Sequence, residues 1–230
     1  MSEASSPQVL GLVPVVGREA LAYLAYKRST LVSGAVEALC PVADHVMVVT
    51  ADGQADKARG ALAHLDIEGQ GCFPGAAIGS FAAIEVPREE ALARTVAESA
   101  DVVVVHDPLC PGVSTASLQR LLELWSPGTV TVAVRPVVDT VKVVADGVVI
   151  GTLNREDLRM IGSPVVMPAD RMAAIPRLGA KLADLASLVV TLRGVCEVVL
   201  VPGDPAAGRV EDPSSIPLLT ALDALHELDC

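Results

Sequence analysis

Short runs of β-branched residues alternate along this chain with stretches whose apolar positions recur every three or four residues. That alternation predicts a parallel sheet with crossover helices. Val9–Val16 reads as the first strand, followed by a helical stretch to about Ala38. Val46–Thr50 is the second strand and Asp56–His64 a short helix. Arg88–Ser99 opens with Glu89 and Glu90, acids that suit a helix N-terminus. Val102–His106 begins with four consecutive valines, which predicts a strand buried on both faces in the middle of a parallel sheet. Pro108 cannot continue its ladder. Ser114–Trp125 is the next helix, ended by Ser126-Pro127-Gly128, and Thr129–Arg135 a further strand.

The rhythm then changes. Asp139–Val144 and Val148–Leu153 flank Ala145-Asp146-Gly147, and an Asp-Gly pair between two such runs predicts a hairpin. Leu178–Arg193 reads as a helix, Cys196–Pro202 as a late strand and Ile216–Leu228 as the closing helix. Pro217 suits a first turn, whose amides lack intrahelical partners anyway. No repeat or low-complexity linker interrupts the series. A single α/β domain over residues 1–230, with an arm at about 136–160, is the expected organisation.

Composition narrows the function classes. The chain has 230 residues, 51% of them hydrophobic and only 2% aromatic, so its core must be aliphatic. A net charge of −11, with no cluster of Lys and Arg, argues against a nucleic-acid surface. Polar residues interrupt every apolar run short of a membrane span. Met1–Pro7 carries neither a basic region nor an apolar one, so no signal peptide is expected and the protein is read as cytoplasmic. The five cysteines are scattered, without a CxxC pair, and point to neither zinc nor a disulfide framework.

Candidate chemistry centres on Asp107. Ligands of open α/β sheets bind outside the carboxyl ends of the strands, where this carboxylate is expected. Its alternative role is to cap the turn after the strand. His106 is read as a hydrogen-bonded packing residue and Cys110 as a small buried hydrophobe. Lys27 and Arg28 suit a solvated helix face, or replace a cation of the site.

Several segments resemble, in order, the methylerythritol phosphate cytidylyltransferases of the non-mevalonate isoprenoid pathway. His106-Asp107-Pro108-Leu109-Cys110-Pro111 is similar to the family's His-Asp-Ala-Ala-Arg-Pro. Pro136-Val137-Val138-Asp139-Thr140-Val141-Lys142 is similar to Pro-Val-x-Asp-Thr-x-Lys. Thr152 to Leu158, with Arg155, resembles Thr-x-x-Arg-x-x-Leu, and Val201–Pro205 followed by Arg209 resembles the loop carrying Asn-x-Lys-Ile-Thr. The resemblance implies a three-layer Rossmann-like nucleotidyltransferase fold, with a mostly parallel central sheet and a protruding β-hairpin arm.

It also implies an activity: CTP condenses with methylerythritol phosphate and releases pyrophosphate, with Mg²⁺. In that reading Asp107 holds the metal, while Arg18, Lys27 and Arg209 are the catalytic cations. Thr140 and Arg155, on an arm reaching into the other subunit of a homodimer, bind the sugar phosphate. Gly17 and Ser80 lie in the segments that hold the nucleotide.

The departures bear on function. Where the family has Ala-Ala-Gly-x-Gly-x-Arg, a loop whose amides cradle the triphosphate, this chain has only Val13-Pro14-Val15-Val16-Gly17-Arg18. The Arg of the His-Asp motif is Cys110, and Pro74–Ser80 lacks the arginine of the family's Gly-Gly-x-x-Arg-x-x-Ser. Losing one preorganised donor typically costs about a hundred- to a thousandfold in rate. The preferred reading is therefore a relative with a degraded site, acting as a binding or assembly protein for a nucleotide or sugar phosphate. An active cytidylyltransferase and a transferase of altered specificity are the alternatives.

Overall fold

The protein is described here by a computed structural model covering residues 6–65, 82–85, 89–175 and 178–228. Its elements in chain order are β1 (Val9–Pro14), α1 (Glu19–Ala22), β2 (Ala25–Tyr26), β3 (Ser29–Thr30), α2 (Leu31–Leu39) and β4 (His45–Thr50). Then come α3 (Ala55–Leu62), β5 (Ala82–Glu85), α4 (Glu89–Ser99), β6 (Val102–Val105), α5 (Thr115–Leu124) and β7 (Thr129–Pro136). The remainder comprises β8 (Val141–Ala145), β9 (Val148–Leu153), β10 (Arg159–Pro168), α6 (Leu178–Ala183), α7 (Leu185–Leu192), β11 (Glu197–Pro202) and α8 (Ser215–Leu228).

Seven strands form one sheet in the order β11-β7-β10-β6-β1-β4-β5. All neighbours are parallel except at β10, which runs antiparallel to both β7 and β6. The pleat divides the core into two. Val102 and Val104 pack with Leu31, Leu39 and Leu118, whereas Val103 and Val105 pack with Leu92, Met167 and Leu188. Helices α2, α3 and α5 thus cover one face and α4, α6 and α7 the other, giving the three-layer α/β fold. Each of the four valines is fully buried, worth about 1.5–3 kcal/mol apiece relative to exposure. The valine run needs both faces covered, and it gets them.

Asp146 and Gly147 both have positive φ, +49° and +77°, so β8 and β9 close as the expected two-residue hairpin. Three expectations need correction. The helical stretch to Ala38 is broken: Lys27 turns with φ +52° between β2 and β3, and Thr30 then caps α2 by accepting from the Ser33 amide. Leu178–Arg193 is two helices, because the Asp184 carboxylate accepts from the Ser187 amide and starts α7 anew. Finally, β10 was not anticipated, and it makes β6 a strand with one parallel and one antiparallel neighbour.

Candidate functional site

Strands β1 and β6 are hydrogen-bonded neighbours, so the residues leaving their carboxyl ends meet. His106 still donates its amide to the Leu12 carbonyl at 2.9 Å, and the next residue, Asp107, turns its side chain inward. On the β1 side, Arg18 donates its amide to Val15 at 2.9 Å after Gly17 has turned the chain at φ +72°. The Arg18 guanidinium then contacts Asp107 Oδ1 through Nη1. Asp107 Oδ2 accepts from Arg209 Nε at 3.0 Å, and Oδ1 also accepts from the Leu109 amide at 3.0 Å. The carboxylate is buried, the Arg18 side chain is 9% exposed and that of Arg209 40%.

Arg209 is delivered from the far edge of the sheet by the loop after β11. The Gly203 amide donates to Val134 at 2.9 Å and the Val210 amide to Leu109 at 2.7 Å. Asp204 accepts from the hydroxyls of Ser114 and Ser117 at 2.8 and 3.1 Å, anchoring the loop to the start of α5. Burial works against the Asp204 carboxylate, but those bonds outweigh it and hold the group below its ordinary range. At the close approach of the two loops, a methyl on Gly112 would run into the Ala206 carbonyl, within 2.7 Å of its carbon.

Beneath Asp107, Ser163 of β10 accepts from the Asp107 amide at 2.9 Å and lies 2.7 Å from His106 Nδ1. Burial pushes the His106 imidazole down to about 4, with the Asp107 charge opposing, so it is neutral at pH 7. Burial, with the Asp107 charge adding to it, pushes the Cys110 thiol up to about 12, which leaves it unreactive. The two residues pack, as the sequence reading had them.

The cluster floors a cavity of about 560 Å³ lined by Arg18, Asp107, Arg135, Asp184, Arg209 and Glu211 among others. Arg135 was missed in the sequence, whereas Ser163 stands in Ser163-Pro164-Val165, the counterpart of the family's Thr-Pro-Gln. Arg135 lies at the carboxyl end of a predicted strand, so the rule that singles out Asp107 reaches it too. Ser163 sits on β10, a strand not expected from the sequence.

The other candidates fall elsewhere. The Gly17 amide donates to Glu19 Oε1 at 3.0 Å and is thus engaged within its own loop. Lys27 lines a different cavity, of about 920 Å³, with Arg28, Ser29, Glu37 and His64. Thr140 and Arg155 are exposed on the arm, where Arg155 donates to the Val138 carbonyl. Ser80 lies outside the described residues.

The metal assignment of Asp107 fares poorly on geometry. Both carboxylate oxygens already carry a guanidinium, and a divalent cation there would face two fixed positive charges. Among the described residues no group of three or more His, Cys, Asp or Glu side chains could hold a metal ion. The residues present do not fit a metal centred on Asp107.

Comparison with known proteins gives this site a context. A family model for IspD, 2-C-methyl-D-erythritol 4-phosphate cytidylyltransferase, matches residues 85–221. The 2-C-methyl-D-erythritol 4-phosphate cytidylyltransferase of Geotalea uraniireducens is 32% identical over 127 residues, 53% of each chain. The bifunctional enzyme IspD/IspF of Anaeromyxobacter sp. is 29% identical over 185 residues, 77% of this chain and 45% of that one. The chain thus spans about half the length of these relatives or less. Among solved structures, 4-diphosphocytidyl-2C-methyl-D-erythritol synthase of Anaerococcus prevotii superposes with a TM-score of 0.68 at 14% identity, covering 94% of this chain and 96% of that one. The 2-C-methyl-D-erythritol 4-phosphate cytidylyltransferase of Thermus thermophilus gives 0.64 at 22%, covering 93% and 98%. These structural likenesses establish the fold.

Proposed function

The chain belongs to the 2-C-methyl-D-erythritol 4-phosphate cytidylyltransferase family, and from that premise we propose that it is a divergent member whose ordinary cytidylyl transfer is degraded. Its cleft is kept as a binding site for a phosphate-bearing ligand, and the protein acts as a binding or assembly component. One observation carries this reading: Asp107 is closed between Arg18 and Arg209. The polar group best placed to organise a reacting triphosphate is committed to an internal ion-pair hub. The Gly17 amide, committed to Glu19, points the same way.

Nucleotidyl transfer is in-line attack of a phosphate oxygen on the nucleotide's α-phosphorus. Its acceleration comes from positioning and charge neutralisation rather than from acid-base residues. A cleft with its amide cradle shortened and Lys27 turned to another cavity retains attraction for anions but little preorganisation. Losing one such donor costs about a hundred- to a thousandfold in rate, and losses at one site are not additive.

A second reading, an active cytidylyltransferase joining CTP and methylerythritol phosphate, draws on the convergence of Arg18 and Arg209 at the strand ends. A transferase of altered specificity in the same cleft is the third. In either, Thr140 and Arg155 serve the site of a second copy. The arm's exposed apolar side chains, Val138, Val144, Val148 and Ile150, favour a homodimer formed through the hairpin. Among the described residues no helix is long and apolar enough to cross a membrane; a cytoplasmic location follows only from the family reading.

Pyrophosphate release from CTP and methylerythritol phosphate with Mg²⁺, beside an active family member, tests the proposal. Turnover at least about a hundredfold below that enzyme is expected, the loss of one donor. Comparable turnover would reject the degraded-site reading in favour of the second.

A further inference from the structure

The three guanidiniums around the cavity are unequally engaged. Arg209 binds Asp107 through Nε, and the rest of its 40%-exposed fork is open to the cleft. Arg18 is nine-tenths buried, and its Nη1 is engaged by Asp107 Oδ1. Arg135 also lines the cavity, and among the described residues its polar contact is the Met160 sulfur, at 3.8 Å.

Three acidic residues also line the cavity, and only Asp107 sits in its floor. Asp184 is exposed and turned to its own helix, where bonds from Ser187 hold its carboxyl below the ordinary range. Glu211 is exposed, where solvent screens its charge.

Members of the family generally use Mg²⁺. That ion demands near-octahedral oxygen ligands, and in this site the one buried carboxylate is held from both sides. We propose that the cavity binds a diphosphate-bearing ligand without a divalent metal. Arg135, beside the Arg18 and Arg209 that hold Asp107, supplies the positive charge that relatives draw from the ion. A planar guanidinium binds phosphate oxygens in pairs and never loses its charge, so it replaces the neutralising role of a metal without its geometric demands. This inference rests on the anion-binding reading of the cleft. It adds that the positive charge facing the ligand comes from the protein alone.

Calorimetric titration of the full chain with inorganic pyrophosphate, and with CTP in a parallel series, tests it in EDTA and in Mg²⁺ at matched ionic strength. The expected result is binding in EDTA at least as tight as in Mg²⁺. Arg135→Gln should weaken it about tenfold, the share of one charge-assisted pair, with an unchanged circular dichroism spectrum. Tighter binding of CTP than of pyrophosphate identifies a nucleotide as the source of the diphosphate; equal binding identifies free diphosphate. Binding about tenfold or more tighter in Mg²⁺ overturns the inference while leaving the cleft reading in place, and so does full affinity in Arg135→Gln. Binding in neither condition overturns both.

Discussion

Replacing Asp107 with asparagine separates the charge of the site's hub from its shape. Asparagine has nearly the same volume and keeps an oxygen for the Leu109 amide, now 3.0 Å from Oδ1, so the turn after β6 is retained. What is lost is the counter-charge of two arginines. The Arg209 share is small, because its side chain is 40% exposed and such pairs are worth about 0–1 kcal/mol. The Arg18 share is larger. That side chain is 9% exposed, and removing one partner of a buried pair costs about 3–5 kcal/mol. A loss of that size removes a large part of the roughly 5–15 kcal/mol that hold a domain together. It should lower the melting temperature by about 6–20 °C, at roughly 2–4 °C per kcal/mol for a chain of this length. Urea unfolding measures it, and an unchanged slope would show that the native and denatured states are otherwise alike. Adding Arg18→Met to Asp107→Asn removes the orphaned charge, so the double variant should be more stable than the sum of the single losses by about 0.5–3 kcal/mol. A loss below about 1 kcal/mol in Asp107→Asn, or strict additivity in the cycle, would refute the hub as a buried ion pair.

Two further outcomes follow from the same neighbourhood. His106 titrates at about 4 when folded against 6.5 ordinarily, so between those values the unfolded chain binds a proton that the native protein refuses. Its contribution is complete above pH 6.5 and is lost as pH falls toward 4, up to about 3 kcal/mol at 1.36 kcal/mol per unit. Urea unfolding at pH 7 and 4.5 should show a smaller acid loss in His106→Gln than in the parent, and equal losses would refute the assignment. Gly112→Ala forces a methyl against the Ala206 carbonyl and should cost about 1–3 kcal/mol, as overpacking does. It should also weaken pyrophosphate binding, because the same contact positions the Arg209 loop. Unchanged stability and affinity would mean that the loop yields freely.

The local devices of this chain were readable where their physics is local. The Asp-Gly pair closes its hairpin because both residues accept positive φ, and Glu89 and Glu90 mark a helix start that the fold bears out at Glu89. Asp107 could be placed at a strand's carboxyl end because Pro108 stops the ladder there. Where a break depends on one side chain, the reading failed. Asp184 restarts a helix inside a continuous apolar pattern, Thr30 caps one after the Lys27 turn, and hydrophobic period alone does not see a cap. The strand Arg159–Pro168 was missed because no turn signal sets it off from the arm, and its face-to-face burial becomes evident only between β6 and β7.

Alternating apolar runs determined the layered α/β architecture, since a run of four valines is stable only with cover on both faces. The resemblance in the ordered motifs added the family. Only the tertiary structure decided the state of the site. Arg209 lies 102 residues from Asp107 along the chain, and Arg18 reaches it from a neighbouring strand. Which charges share a buried carboxylate depends on how strands are ordered and how loops cross their ends. No local pattern of residues encodes either.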